Sequence, residues 1–189
     1  MTTTTSTPTT LATAAGTWVI DTAHTNLGFS ARHAMVAKVR GHFADFAGSF
    51  TIDGDNLAAS SAELTIQSAS IETKNADRDA HLKSPDFLEV EKYPTLTFVS
   101  TKITPVDPET VVVTGDLTIR DVTKPVDVKF ELSGISKDPW GNTKIGFEGT
   151  AAINRKDFGL VWNAALETGG VLVSEDIKLT FDVEAALQA

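Results

Sequence analysis

Apolar and polar side chains alternate without interruption along residues 126–133, Val-Asp-Val-Lys-Phe-Glu-Leu-Ser. The same two-residue period returns in residues 144–154 and 177–184. Because successive side chains of a β-strand point to opposite faces, each segment is predicted to be a strand with one apolar face. No long amphipathic helix is available to cover these faces. The sheet is therefore expected to close on itself or to pack on a second sheet.

Composition limits the classes to which the protein can belong. The 189 residues, 41% of them hydrophobic, suffice for one domain with a sizeable core. The formal charge of -9 disfavours binding to nucleic acid or to an anionic membrane surface. Cysteine is absent from the sequence, which excludes disulfides, thiolate metal sites and cysteine nucleophiles.

Residues 1–16 are rich in Thr, Ala and Ser and contain neither Lys nor Arg. They lack the basic and apolar regions of a signal peptide, and no segment approaches the roughly 20 apolar residues of a membrane span. We therefore expect a disordered tail over residues 1–16, one domain over residues 17–189, and a cytoplasmic location.

The chain contains enough strand-like segments for a barrel of eight strands. Short turns separate most of them, so consecutive strands are expected to pair antiparallel in an up-and-down meander. One short helix is expected over residues 75–83 after an Asn cap, and a second is expected to start at Ser84-Pro85. The strands are expected over residues 17–22, 27–33, 39–52, 62–67, 95–103, 111–120, 126–136, 144–154 and 171–185.

Two features of the predicted strands indicate strong curvature. The apolar alternation is lost within residues 43–50, which predicts a bulge near Ala44 or Asp45. Glycines inside strands mark a bend, a bulge or the close approach of another group. A curved eight-stranded barrel is either filled by its own side chains or holds one small ligand, and the pattern leaves both open. The glycines concerned are Gly115, Gly134, Gly146 and Gly149.

Four separated motifs resemble those of a known family. They are, in chain order, WVIDTAHT with FSARH (residues 18–33), RDAHLKSPDFL with YPTLTF (78–98), GDLTIRDVTKPV (115–126) and INRKDFGL (153–160). Together they span roughly residues 17–185, and in this order they resemble the YceI-like family of polyisoprenoid-binding proteins.

The resemblance implies an extended lipocalin-like barrel of eight antiparallel strands, a tunnel that holds a long isoprenoid or related amphiphile, and a homodimer. It implies no catalytic residue, and no cofactor or metal is predicted. The residues expected to line the tunnel are apolar, and ordinary core packing is the alternative for each of them. They are Phe29, Phe50, Leu96, Phe98, Leu117, Ile119, Phe130, Phe147, Phe158, Trp162 and Phe181.

Polar candidates for the tunnel mouth are Arg32, Arg78, His81 and His24, whose cationic or hydrogen-bonding groups suit a quinone carbonyl or a pyrophosphate head. The alternative is a buried network that ties the helices to the first strands. Asp77 and His81 also share one helix face at i, i+4 and offer two metal ligands. The other histidines lie on different predicted strands, so helix capping and salt bridges are the alternative to a metal site.

The sequence thus predicts a soluble, cytoplasmic, non-enzymatic protein that carries or sequesters an isoprenoid, quinone or fatty amphiphile. One alternative is a metal-dependent or acid/base enzyme acting on a small apolar substrate in the same barrel. Another is a fully packed barrel that serves as an interaction module. No local motif indicates nucleophilic catalysis or phosphate binding.

Overall fold

The computed structural model describes residues 9–189 of the chain. Within them the structure has one α-helix, α1 (Ala76–Lys83), and short 3₁₀ turns between some strands. The strands are β1 (Gly16–Ile20), β2 (Asn26–His33), β3 (Ala37–Phe43), β4 (Phe46–Ile52), β5 (Ser61–Gln67), β6 (Ile71–Glu72), β7 (Thr95–Pro105), β8 (Thr110–Ile119), β9 (Val122–Lys137), β10 (Thr143–Asn154) and β11 (Asp176–Leu187).

The strands close into a barrel. Around the ring the order is β1-β4-β5-β7-β8-β9-β10-β11, and β11 pairs back onto β1. All of these pairings are antiparallel. The predicted eight-stranded antiparallel, lipocalin-like barrel is therefore confirmed, with one helix.

Strands β2, β3 and β6 lengthen one side of this wall. β11 pairs with β1 at Ala185–Leu187 and with β2 at Lys178–Asp182. β1 and β2 therefore lie end to end along the same edge of β11. In the same way β4 pairs with β1 and β3 pairs with β2. Strands β3 and β4 follow each other along the chain and are separated by Ala44 and Asp45, where the sequence predicted a bulge.

Two further irregularities coincide with strand glycines. The β7–β8 register shifts between Ser100 and Lys102, opposite Gly115. The β9–β10 register shifts between Gly146 and Phe147. Such bulges bend a strand and increase its twist, which a closed barrel requires.

The first predicted helix is correct and the second is wrong. Asn75 caps α1, because its side-chain oxygen accepts a hydrogen bond from the Arg78 backbone N–H at 2.9 Å. Ser84 is extended (ψ 170°), and its hydroxyl donates to the His81 carbonyl at 2.6 Å, so it ends α1 instead of starting a new helix. The following Pro85 disfavours the helical conformation at Ser84. Residues 84–88 consequently form turns.

The N-terminal prediction needs a correction for residues 9–16, whereas residues 1–8 lie outside the described part of the chain. Leu11–Ala14 form a 3₁₀ turn, in which Leu11 and Ala14 are buried. The Trp18 indole N–H donates to the Ala14 carbonyl at 3.0 Å. Leu11 is buried in the apolar cluster at one end of the barrel. Residues from Leu11 onward therefore belong to the folded domain.

Two apolar clusters occupy the two ends of the barrel. The end closed by the Leu11 turn is here named the Trp18 end, and the opposite end, covered by α1, the α1 end. At the α1 end, an ion pair of 2.8 Å between Arg120 and Glu89 fastens the segment after α1 to the β8–β9 turn. The Trp18-end cluster contains Leu11, Trp18, Ile52, Ile103, Ile145 and Ala185, and the α1-end cluster contains Ile71, Phe87, Leu88, Leu96, Val126, Phe158 and Leu160.

Candidate functional site

An elongated cavity of about 680 Å³ lies inside the barrel. Its lining extends from Leu11 and Ile52 at the Trp18 end to Arg78 and Val173 at the α1 end. A volume of this size is within the range of cavities that hold one small to medium ligand. The barrel is therefore hollow, and the lining is almost entirely apolar.

Glycine–phenylalanine pairs keep the middle of the cavity open. Gly149 on β10 is opposite Phe130 on β9, and both belong to the inward-facing rows of their strands. A Cβ atom on Gly149 would lie 2.5 Å from Cε1 and 2.6 Å from Cδ1 of the Phe130 ring. The Phe130 ring thus packs directly on the Gly149 backbone, in space that a side chain at residue 149 would otherwise fill. The same arrangement pairs Phe98 with Gly115 and Phe29 with Gly41.

Ionisable groups of the lining gather at the α1 end, apart from Glu63 on β5. Arg78 donates from Nε to the Thr73 hydroxyl and from Nη2 to the Thr73 carbonyl, both at 2.7 Å. Thr73 is itself buried and donates to Asp79. Arg78 therefore borders the cavity and also ties α1 to the segment that follows β6.

His81 lies beside Arg78 on α1, and two aromatic rings surround it. Its ring centroid is 4.5 Å from that of Trp162 and 5.1 Å from that of Phe87, both in edge-on geometry. Its Nε2 is 2.8 Å from the Asp86 carboxylate. These contacts fix the orientation of the His81 ring, which is also part of the cavity lining.

Arg155 is a lining residue that our sequence analysis did not select. The side chain is only 4% exposed, and burial lowers the pKa of its guanidinium. It donates to the carbonyls of Ser174 (2.8 Å), Leu160 (2.6 Å) and Val173 (3.3 Å). Among residues 9–189, no carboxylate lies within ion-pair distance of it. It brings a buried positive charge to the α1 end.

These features can be compared with known proteins. The YceI-like domain matches residues 18–185. The chain belongs to this family. A UPF0312 protein of Pseudomonas aeruginosa is 40% identical over 165 residues, covering 87% of this chain and 83% of that protein. A UPF0312 protein of Photorhabdus laumondii is 46% identical over 135 residues, covering 71% of this chain and 70% of that protein.

Solved structures agree with the YceI-like fold. The Campylobacter jejuni YCEI protein is similar with a TM-score of 0.72 and 33% identity, over 84% of this chain and 90% of that one. BcnA of Burkholderia cenocepacia has a TM-score of 0.76 and 24% identity, over 87% and 98% of the two chains. A polyisoprenoid binding domain from Saccharophagus degradans has a TM-score of 0.69 and 15% identity, over 90% and 98%. The last two likenesses concern the fold alone.

The YceI-like barrel places most of the predicted site residues around the cavity. Phe158 is the exception among the apolar candidates, because it is buried in the α1-end cluster and lies outside the lining. The lining contains Phe29, Arg32, Phe50, Arg78, His81, Leu96, Phe98, Leu117, Ile119, Phe130, Phe147, Trp162 and Phe181. Contact of these residues with a ligand stays a prediction.

His24, a further candidate for the mouth, lies away from the cavity of this YceI-like chain. Its Nδ1 is 3.0 Å from the Asp21 carboxylate, which also accepts a 2.7 Å hydrogen bond from Lys144. The hydrogen bond from Lys144, followed by that from His24, lowers the pKa of Asp21 to about 2. Within the described residues, Asp21, His24 and Glu184 form the one group of three potential metal ligands. The Lys144 ammonium already occupies it, at 3.5 Å from Glu184.

In the part of the chain described by the structure, no helix is both long and apolar enough to cross a bilayer.

Proposed function

We propose that this protein binds a long apolar amphiphile, such as a polyisoprenoid, an isoprenoid quinone or a fatty acid derivative, and carries or sequesters it. The observation that carries the proposal is the hollow, apolar interior of about 680 Å³ inside a closed barrel. Membership of a family with a polyisoprenoid-binding structural neighbour supports the same ligand class.

Apolar burial supplies the driving force. Each methylene moved from water into such a cavity contributes about 0.8 kcal/mol, before the entropy of ordering the chain is subtracted. The lining offers very few hydrogen-bonding groups along the barrel, so a polar ligand would lose its hydration without compensation. This asymmetry favours a hydrocarbon chain over a sugar, a nucleotide or a peptide.

The direction of the bound amphiphile follows from the distribution of polar groups. The tail is expected along the phenylalanine-lined middle of the barrel and towards the Trp18 end, which lacks the Arg and His residues that line the α1 end. The head is expected at the α1 end, near Arg78 and Arg155; Arg32 borders the lining there, but its side chain lies with Lys38 on the outward face of the β2–β3 hairpin. Cations there favour a carbonyl, carboxylate or phosphate head.

A binding role is favoured over catalysis by the surroundings of His81. The hydrogen bond between His81 and Asp86 resembles half of a catalytic dyad, yet within residues 9–189 no hydroxyl group is hydrogen-bonded to the imidazole ring. The three potential metal ligands around Asp21 lie outside the cavity lining. We therefore propose a non-enzymatic protein. A homodimer and a cytoplasmic location stay predictions, which native mass spectrometry and cell fractionation test.

The test is the recovery of a bound lipid. Protein purified from its own source, without detergent, is analysed by native mass spectrometry and then by organic extraction. We expect one apolar amphiphile per barrel, and we expect delipidated protein to take up a fluorescent polyene fatty acid or an isoprenoid quinone. The proposal is overturned if no lipid co-purifies and delipidated protein takes up neither probe.

Two variants of β5 localise the ligand. Ile66 lines the cavity, whereas its neighbour Thr65 is exposed. Ile66→Trp fills part of the barrel and is expected to reduce the bound lipid, while Thr65→Trp adds the same bulk outside and is expected to retain it. Equal lipid content in the two folded variants would contradict binding inside the barrel.

A further inference from the structure

The tip of the β2–β3 hairpin exposes apolar side chains to solvent. Met35 is 61% exposed and Val36 is 80% exposed. Ala34 and Met35 both adopt positive φ angles (49° and 64°), which residues other than glycine rarely do. Both are central residues of a tight hairpin turn of type I′, in which the Val36 N–H donates to the His33 carbonyl at 3.1 Å, so the turn geometry accounts for these angles.

Three cations share the outward face of the same hairpin. Arg32 is the register partner of Lys38, and Arg40 follows two residues after Lys38 on the same face. All three are exposed, and among residues 9–189 no carboxylate lies within 4.0 Å of any of them. Like charges directly opposite each other destabilise a strand pair. Their placement thus favours an external anionic partner over a role in folding.

The neighbouring strand extends this basic face. Lys178 on β11 is the register partner of Ser30, which is itself the partner of Arg40. Asp176 is the one carboxylate in the shallow depression formed with Arg32, Lys38 and Lys178. The face is consequently positive, although the whole chain carries a formal charge of -9.

The hairpin also stands at the α1 end of the cavity. His33 and Val39, next to the tip on either strand, line the cavity. The Ala34 N–H donates to the carbonyl of Leu172, another lining residue, at 2.7 Å. A partner that touches the tip therefore lies beside the α1 end of the cavity, where the head group of the proposed ligand is expected.

We propose that the β2–β3 hairpin docks the protein on the surface of an anionic lipid bilayer, with Met35 and Val36 inserted among the head groups and the basic face against anionic lipids. Apolar side chains flanked by Lys and Arg are the combination that binds at a membrane interface. The net charge of the chain suggested repulsion, but exposed charges beyond about 8 Å are largely screened at physiological salt, so the local patch decides. Docking would allow the protein to exchange its ligand with the bilayer, and this role rests on the proposed function. Docking itself does not depend on that function.

Vesicle flotation tests the docking. Phosphatidylcholine vesicles with and without phosphatidylglycerol are mixed with the full chain at low and at physiological salt. We expect flotation only with the anionic vesicles, weakened by salt. Lys38→Gln/Arg40→Gln is expected to bind about 30-fold more weakly, since each basic residue near an anionic surface contributes roughly fivefold. Met35→Ser/Val36→Ser is expected to lose binding to the same vesicles.

Matched variants control for charge and for exposed apolar area. Lys124→Gln/Lys129→Gln removes two exposed cations of β9, and Val106→Ser removes an exposed valine at the Trp18 end, so both are expected to float like the parent protein. The docking proposal is overturned if the parent protein does not float, or if hairpin and control variants behave alike. Self-association through the hairpin, detected by sedimentation without vesicles, would also overturn it.

Uptake of a fluorescent polyene fatty acid from an ethanol dispersion separates the two proposals. Lys38, Arg40, Met35 and Val36 lie outside the cavity lining. Variants that still take up the probe but no longer float support docking as a separate property. Flotation by a protein that takes up neither the fatty acid nor the isoprenoid quinone, and from which no lipid co-purifies, would leave docking standing and overturn lipid binding.

Discussion

Gly149→Ala is predicted to narrow the cavity without unfolding the barrel. The added Cβ would lie 2.5 Å from the Phe130 ring, whereas ordinary contacts begin at 3.4 Å. Because Gly149 is part of the barrel backbone, the ring must retreat by about 1 Å into the cavity. Overpacking of this kind costs roughly 1–3 kcal/mol of unfolding free energy, and in a chain of this size each kcal/mol lowers Tm by about 2–4 °C.

The effect on binding follows from the same displacement. If the ring takes the place of one or two methylene groups of the bound chain, binding weakens by about 1–2 kcal/mol, which is roughly 5- to 30-fold in Kd. The assay is a fluorescence titration of delipidated protein with a polyene fatty acid, accompanied by thermal unfolding. Short-chain probes are expected to lose less affinity than long-chain probes, because they do not have to pass Phe130.

Gly146→Ala is the matched control on the same strand. A Cβ at Gly146 meets its nearest neighbours at 3.5 and 3.8 Å, which are ordinary contacts. It is expected to bind the probe like the parent protein. Adding Phe130→Leu to Gly149→Ala removes the displaced ring and is expected to restore long-chain binding. Equal affinities in the Gly149→Ala and Gly146→Ala proteins would refute the reasoning.

Three further predictions concern stability. Asp21 has a folded pKa of about 2 against an ordinary 3.8, so the free energy of unfolding is expected to fall as pH drops from about 4 to 2, by on the order of 1 kcal/mol for this partly hydrated group. In urea titrations at a series of pH values this loss should be absent from Asp21→Asn and smaller in Lys144→Met, where the hydrogen bond from His24 remains. Leu11→Ala is expected to cost about 2–4 kcal/mol in urea unfolding, whereas Ala12→Ser, at an exposed neighbouring position, should be neutral. In Arg155→Lys, one ammonium group cannot reproduce the three hydrogen bonds that the planar guanidinium donates to backbone carbonyls, so amide hydrogen exchange over residues 160–174 should become faster. Unchanged exchange would show that Arg155 does not hold this segment in place.

The barrel was accessible from the sequence because its information is local. Strict alternation in residues 126–133 fixes which side chains face inward, and the cap residue Asn75, directly before α1, indicates where the helix begins. The failures have local causes as well. Ser84 followed by Pro85 is a pattern typical of a helix start, but the same serine can also end the preceding helix. In the structure Ser84 ends α1, because Pro85 keeps it in an extended conformation.

The cavity was not accessible in this way, because it depends on contacts between distant residues. The sequence shows Gly149 and Phe130 separately, and only the β9–β10 register brings them face to face. Leu11 stands alone in a Thr- and Ala-rich segment, where nothing nearby indicates that it seals a barrel. Arg155 is similar, since the carbonyls that hold it come from Leu160, Val173 and Ser174, in an irregular segment without a pattern.

The seam of the barrel has a consequence for biosynthesis. Trp18 and Leu187 are register partners, so the barrel closes by pairing β1, near the start of the described residues, with β11, near their end. During translation the growing sheet keeps two unpaired edges until β11 has left the ribosome, and contacts so far apart in sequence form slowly. A nascent chain stalled before residue 176 would therefore be an open sheet with exposed strand edges, and we expect such an intermediate to be prone to aggregation.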